Sequence, residues 1–220
     1  MSAPYCFKVG STPKQEVEET VEIPALRVAV IGSAGRKDDE AKFTKEVYIE
    51  AFGMLAAFIS DMNKVNPVAK IELISGGAAY ADHLAVQFFL TQFFPCSLTL
   101  YLPTQFANGE FEDDGTVDFR TNPGGTMNFY HRKFSKNLNL NSRNEIDMAI
   151  KQGAKVVAGG GLHGRNNKVA EEADVVIAFT FGNGAEIKDG GTLDTCKKFL
   201  KKNSNDLLYH VDLHNPTVIH

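Results

Sequence analysis

The stretch Leu26-Arg27-Val28-Ala29-Val30-Ile31-Gly32-Ser33-Ala34-Gly35-Arg36 decides how this chain is read. Its first half is a β-branched apolar run with no polar alternation, the pattern of a parallel strand buried on both faces. The run stops at Gly32 and passes into small residues and one Arg. Downstream, Asp39 to Asn63 places Phe43, Val47, Ala51, Met54, Leu55 and Phe58 three and four residues apart, which predicts an amphipathic helix. A buried strand, a glycine turn and a helix form the opening unit of an α/β domain.

The same alternation continues. Lys70 to Ile74 is a second strand, ending in Ser75-Gly76-Gly77, with a helix from about Tyr80 to Phe93 after it. Ser97 to Leu102 is a third strand, Lys155 to Ala158 a shorter candidate, and Asp174 to Phe179 another buried run. Thr192 to Lys202 reads as a helix before a last strand, Leu207 to Val211. Asn128 to Asn139 and Ser142 to Gln152 read as two more helices, the second capped by Ser142 with Glu145 three residues on. The order predicts a Rossmann-like α/β fold, a mainly parallel sheet with helices on both faces.

Residues 25–220 read as one domain, and the polar residues 1–24 as a flexible tail or an arm on a neighbouring subunit. Residues from about 103 to 127 are an insertion, too long for an ordinary strand-to-helix connection. Such a loop is either a lid or partner surface, or a tolerated insertion.

Composition narrows the function classes. The chain has 220 residues, 43% hydrophobic and 23% charged, with net charge −4. A protein whose main task is gripping phosphate backbones carries an excess of Lys and Arg, so the balance argues against nucleic acid as partner. Cys6, Cys96 and Cys196 form no CxxC pair, which suggests neither a zinc site nor a disulfide framework and fits a reducing, cytoplasmic setting. Met1 to Thr20 lacks the apolar core of a secretory signal, and no apolar run reaches membrane-spanning length. The histidines are scattered without an HxxxH pair, so no metal site is expected, and no cofactor.

Ligands of open α/β sheets bind beyond the carboxyl ends of the strands, so the chemistry is sought there. After the first strand, Gly32, Ser33, Ala34 and Gly35 let backbone N–H groups approach a phosphate, and Arg36 can supply charge. The pattern is neither GxGxxG nor a P-loop, so neither NAD nor ATP chemistry is indicated; a plain structural turn is the other reading. After the second strand come Ser75, Gly76, Gly77 and then Asp82, which either stabilises a helix start or hydrogen-bonds a sugar hydroxyl. After the Asp174 strand, Gly182 and then Gly190, Gly191 and Thr192 open another turn. Thr192 there caps the next helix or donates to a phosphate. His131 and Arg132 open a helix within Tyr130-His131-Arg132-Lys133-Phe134. They either face a ligand's phosphates, or form a solvated face with Tyr130 and Phe134 turned inward.

Three pieces recur in a known order: Ser75-Gly76-Gly77 with Asp82; His163-Gly164-Arg165-Asn166 leading into the Asp174 strand; and Gly190-Gly191-Thr192-Leu193-Asp194-Thr195. Over roughly Leu26 to Val211, without the long loop, this resembles the SLOG superfamily of Rossmann-like domains. That group includes the lonely-guy phosphoribohydrolases, the DNA-processing proteins and nucleotide-sensing domains. The resemblance implies a nucleotide or nucleoside ligand, Arg165 and Asn166 at its phosphate, and homo-oligomers. Thr195 stands where the hydrolases carry their catalytic Glu. If there is turnover, Glu186, Asp189 or Asp194 would have to supply the carboxylate, with Arg165 beside it.

Three functions follow as alternatives. The first is cleavage of an N-glycosidic bond, with a carboxylate stabilising the sugar cation. The second is a sensor or sequestering protein that binds a signalling nucleotide without turnover. The third is a single-stranded DNA binder, which the acidic balance disfavours.

Overall fold

Val28 and Val30 point to one side of the first strand and Ala29 and Ile31 to the other, and all four are buried. In the computed structural model, which describes residues 24–118, 121–182, 186–188, 190–215 and 218–219, that strand is β1, Leu26–Gly32. It pairs in parallel with β2, Ile71–Ser75, and with β7, Val175–Thr180. Outward lie β3, Cys96–Leu102, and β6, Lys155–Ala158, on one side, and β8, Leu208–Asp212, on the other. A short antiparallel strand, β9 (Val218–Ile219), pairs with β8, so the sheet order is β6-β3-β2-β1-β7-β8-β9. The chain is thus a Rossmann-like α/β domain. The flexible-tail reading of the N-terminus falls, apart from residue 24, outside the described residues. No described helix is long and apolar enough to cross a membrane.

Both faces of the sheet are covered. On one, α2 (Lys45–Val65), α3 (His83–Thr91), α4 (Pro123–Leu138) and α5 (Ser142–Lys151) bury Leu55, Ile59, Leu84, Phe88, Phe134 and Ile146 against Val28, Val30 and Leu73. On the other, α6 (Gly161–Glu172) and α7 (Gly191–Leu200) bury Val169, Ala170, Cys196 and Phe199 against Ala29, Ile31, Val176 and Ala178. Strands buried on both faces need apolar residues at every position, which is why β1 and β7 read as continuous runs.

Four readings are corrected. The single helix expected over Asp39 to Asn63 is broken: a short helix, α1 (Asp39–Lys42), ends at Phe43, and α2 starts afresh with the Thr44 side chain accepting from the Val47 N–H at 3.3 Å. The break drives the Phe43 ring into the core against Tyr48, Tyr80 and Phe181. The helix expected from Tyr80 begins as a single 3₁₀ turn, Tyr80–Asp82, before α3. The cap of α5 is Asn141, which accepts from the Asn144 N–H at 3.2 Å, and not Ser142. The stretch from Pro103 to Met127 is not loop throughout: β4 (Phe106–Ala107) and β5 (Glu110–Phe111) form a hairpin, and α4 begins at Pro123. Phe111 is buried, and Asn128 closes the hairpin by exchanging two hydrogen bonds with its backbone.

Ser142 and Glu145 serve a different purpose from capping. Ser142 Oγ lies 2.9 Å from His131 Nδ1, and His131 Nε2 lies 2.9 Å from the Gly77 carbonyl. Glu145 lies 2.6 Å from His83 Nε2. His131 has no exposed surface, so the reading that placed it on a ligand gives way to one in which it props the Gly77 turn. Arg132, its neighbour, points to solvent.

Two predictions follow from this packing. Phe134 is fully buried against Tyr48, Tyr80 and His83, and Phe134→Ala should cost about 3–5 kcal/mol in denaturant unfolding. Burial and the neighbouring His83 hold the His131 pKa down at about 3. Because the unfolded chain takes up this proton near pH 6.5 and the folded one does not, stability is lost as the pH falls from that point towards 3. Urea unfolding should show a loss of about 1.3 kcal/mol between pH 7 and pH 5.5 that His131→Gln abolishes.

Candidate functional site

The strand order reverses between β1 and β7: β2, β3 and β6 lie to one side and β8 to the other. The crevice outside the carboxyl ends of the strands at such a point is where open α/β sheets hold ligands. A cavity of about 360 Å³ opens there. That lies in the roughly 300–1,000 Å³ range of small-molecule sites. Gly32, Ser33, Ala34 and Arg36 line it from the end of β1, Gly76 and Asp82 from behind β2, and Gly190, Gly191 and Thr192 from the start of α7. Arg165 and Asn166 line it from α6.

The Gly32 peptide is held on both sides. Its N–H donates to Asp82 Oδ1 at 3.0 Å, and its carbonyl accepts from Thr192 Oγ1 at 2.8 Å. Thr192 therefore ties α7 to β1 and does not cap its own helix, whose cap position is Gly190. With Gly190, Gly191 and Thr192 on the cavity wall, the positive end of α7 faces the cavity.

Asp82 and Arg165 approach each other across Gly76. A Cβ at Gly76 would stand 2.9 Å from both Asp82 Oδ2 and Arg165 Nε, so only glycine fits between them. Burial raises the Asp82 pKa above the usual carboxylate value, while Arg165 and the backbone N–H groups of Gly32, Ala78 and Gly76 pull it down. Burial likewise lowers the Arg165 pKa, and Asp82 opposes the shift. Arg165 Nη1 donates to the Gly76 carbonyl at 3.2 Å, and Nε and Nη2 donate to Asn166 Oδ1 at 3.1 and 2.9 Å. Asn166 in turn donates to the Gly191 carbonyl at 3.4 Å. The guanidinium is thus fixed in orientation, as a preorganised anion contact requires.

Several residues named from the sequence shape the site from behind. Gly35 has φ +64°, and a Cβ on it would lie 2.2 Å from the Tyr80 ring. Ser75 Oγ donates to the Asp82 carbonyl at 2.8 Å and accepts from the Gly77 N–H at 3.1 Å. Gly182 is buried where the chain returns, against the carbonyl of Glu186.

The carboxylates considered for catalysis are placed elsewhere. The Glu186 residue is exposed and off the cavity wall, and Asp194 pairs with Lys198 at 2.6 Å, also off the wall. Asp189, with Asn183 and Gly184 of the same turn, lies outside the described residues. Thr195 does reach the cavity, its hydroxyl donating to the Gly191 carbonyl at 2.8 Å.

Other lining residues were not anticipated: Lys37, Asp39, Leu162, Thr180 and Lys188. Asp39 is buried and accepts from Lys188 Nζ. Sequence spacing signals only part of this set. Leu162, Arg165, Asn166 and Val169 recur at helical intervals and mark one face of α6. The Asp39–Lys188 pair joins residues 149 positions apart and has no local signature.

No family model matches the chain, and no solved structure matches it. The uncharacterized protein R261 of Acanthamoeba polyphaga mimivirus is 38% identical over 192 residues, covering 86% of this chain and 98% of that protein. At that identity and coverage, the chain belongs to the same family as R261.

Proposed function

We propose that the cavity binds a phosphorylated nucleoside, in the manner of a SLOG-like domain, and holds it without turnover. The observation that carries this reading is the convergence of Arg36, Lys37, Arg165 and Lys188 on one cavity of a chain whose net charge is −4. Cations gathered against the overall charge, together with the N-terminus of α7, suit an anion. The aliphatic side chains of Ile31, Leu162 and Val169 give the same cavity an apolar wall for a ligand's base. A nucleoside monophosphate has both an anionic and a flat apolar part, which is what this lining accommodates.

Holding without turnover follows from the carboxylates. Hydrolysis of an N-glycosidic bond needs a carboxylate beside the sugar, and Glu186 and Asp194 do not face the cavity. The carboxylates that do, Asp39 and Asp82, are each engaged: one with Lys188, the other with the Gly32 N–H. At the position of the hydrolases' Glu, Thr195 offers a hydroxyl already committed to Gly191.

The test is thermal unfolding with adenosine, guanosine, cytidine and uridine monophosphates, alongside chromatography for released base. At a hundred times the dissociation constant a bound ligand adds about 2.7 kcal/mol, or roughly 5–10 °C in Tm for a chain of this size. At least one monophosphate should raise the Tm, its parent nucleoside should raise it less, and no base should appear. Arg165→Ala should weaken binding by about ten- to a hundredfold. Absence of a shift with all four would overturn the reading, and base release would replace it with the hydrolase.

A further inference from the structure

Asp39, on the cavity wall, carries a charge that opposes an anionic ligand while its backbone is locked in place. It is 5% exposed. The Asp39 N–H donates to the Arg36 carbonyl at 3.2 Å, and its carbonyl accepts from the Phe43 N–H at 2.9 Å. Phe43, 1% exposed, is wedged among Tyr48, Tyr80 and Phe181, so the turn that carries Asp39 is anchored in the core. From outside, Lys133 grips Glu40, the next residue, at 2.6 Å.

Lys188, by contrast, is a long side chain on an irregular segment, with about two fifths of its surface exposed. It can swing between partners, whereas the Asp39 carboxylate stays where it is. An anion that reaches Lys188 meets the Asp39 carboxylate beside it.

We propose that Asp39 is a specificity-determining residue: it competes with the ligand for Lys188 and limits the negative charge the cavity accepts. The proposal rests on the reading of the cavity as an anion site. Counting the wall, Arg36, Lys37, Arg165 and Lys188 stand against Asp39 and Asp82, a formal surplus of 4 − 2 = 2 positive charges. That surplus balances one phosphate dianion. A pyrophosphate or triphosphate brings charge beyond it, and each added charge is repelled by Asp39 at short range in a partly desolvated site.

The experiment is isothermal titration of the full chain with phosphate, pyrophosphate and tripolyphosphate, with adenosine monophosphate as a separate arm. The wild type should bind phosphate at least as tightly as tripolyphosphate. Asp39→Asn keeps the shape and removes the charge; it should bind phosphate roughly tenfold tighter, with a larger gain for each added phosphoryl group. Lys188→Ala should weaken all three in both backgrounds. A wild type that prefers tripolyphosphate overturns the proposal without recourse to any variant, and so does a folded Asp39→Asn protein with no gain. Failure of all three anions to bind overturns it together with the anion-site reading. If the anions behave as expected and the nucleotide does not bind, the nucleoside reading falls and the role of Asp39 stands. If the nucleotide binds and Asp39→Asn gains nothing, the reverse holds.

Discussion

The rest of the structure hangs on the two hydrogen bonds to the Gly32 peptide. β1 is the central strand, and its last peptide is where the sheet must hand over to the site. The Asp82 carboxylate takes its N–H and the Thr192 hydroxyl gives to its carbonyl, so elements from both sides of the switch point are tied to one residue. A Cβ on Gly32 would stand 2.1 Å from the Phe179 carbonyl and 2.6 Å from Ala81, so the approach is possible only for glycine. A buried carboxylate costs several kcal/mol unless its oxygens are satisfied. Here backbone N–H groups and Arg165 offset part of that cost, so the stability of this corner and the geometry of the cavity come from the same contacts.

The neighbouring turn is gripped in the same way. Arg165 holds the Gly76 carbonyl from the cavity side, and His131 holds the Gly77 carbonyl from the core side. His131 takes its tautomer from this arrangement: Nε2 donates to Gly77, and Nδ1 accepts from Ser142. Helices α4 and α5, which never reach the cavity, thus set the position of a cavity wall. A neutral imidazole buried next to His83 and aligned by a serine is a rigid prop, and rigidity in the supporting contacts is what keeps a binding geometry within tolerance.

Much of the fold could be read from sequence because the sheet is buried on both faces. The central strands then carry continuous apolar runs, Val28 to Ile31 in β1 and Val175 to Phe179 in β7, and the first of these ends at Gly32. The helix break at Phe43 escaped the reading because Phe43 has the spacing of the α2 stripe; only its fit among Tyr48, Tyr80 and Phe181 shows that it belongs to a different turn. Ser142 misled for a related reason. Ser142 and Glu145 carry the sequence pattern of a capping box, but tertiary partners, His131 and His83, outbid the local bonds. In the site, the glycine turns, Asp82 and Arg165 were legible because a strand end or a motif marks each one. Asp39 and Lys188 were not, since their meaning comes from a pairing that bridges most of the chain.

The same distinction explains why carboxylates near the Gly190 turn were weak candidates. Proximity along the chain says little about which face of a helix a side chain takes. Asp194 is one turn from Lys198 and pairs with it along the outside of α7, while Thr195, one position further, turns inward. Each residue on a helix moves the direction by about 100°, so one step decides between solvent and cavity. At the cavity-facing position stands a hydroxyl whose proton is already given to Gly191. A hydroxyl so committed can shape a wall and accept a further hydrogen bond, but it cannot carry the charge that stabilises a sugar cation. What the cavity wall does present is a fixed guanidinium, a helix N-terminus and a peptide held on both sides.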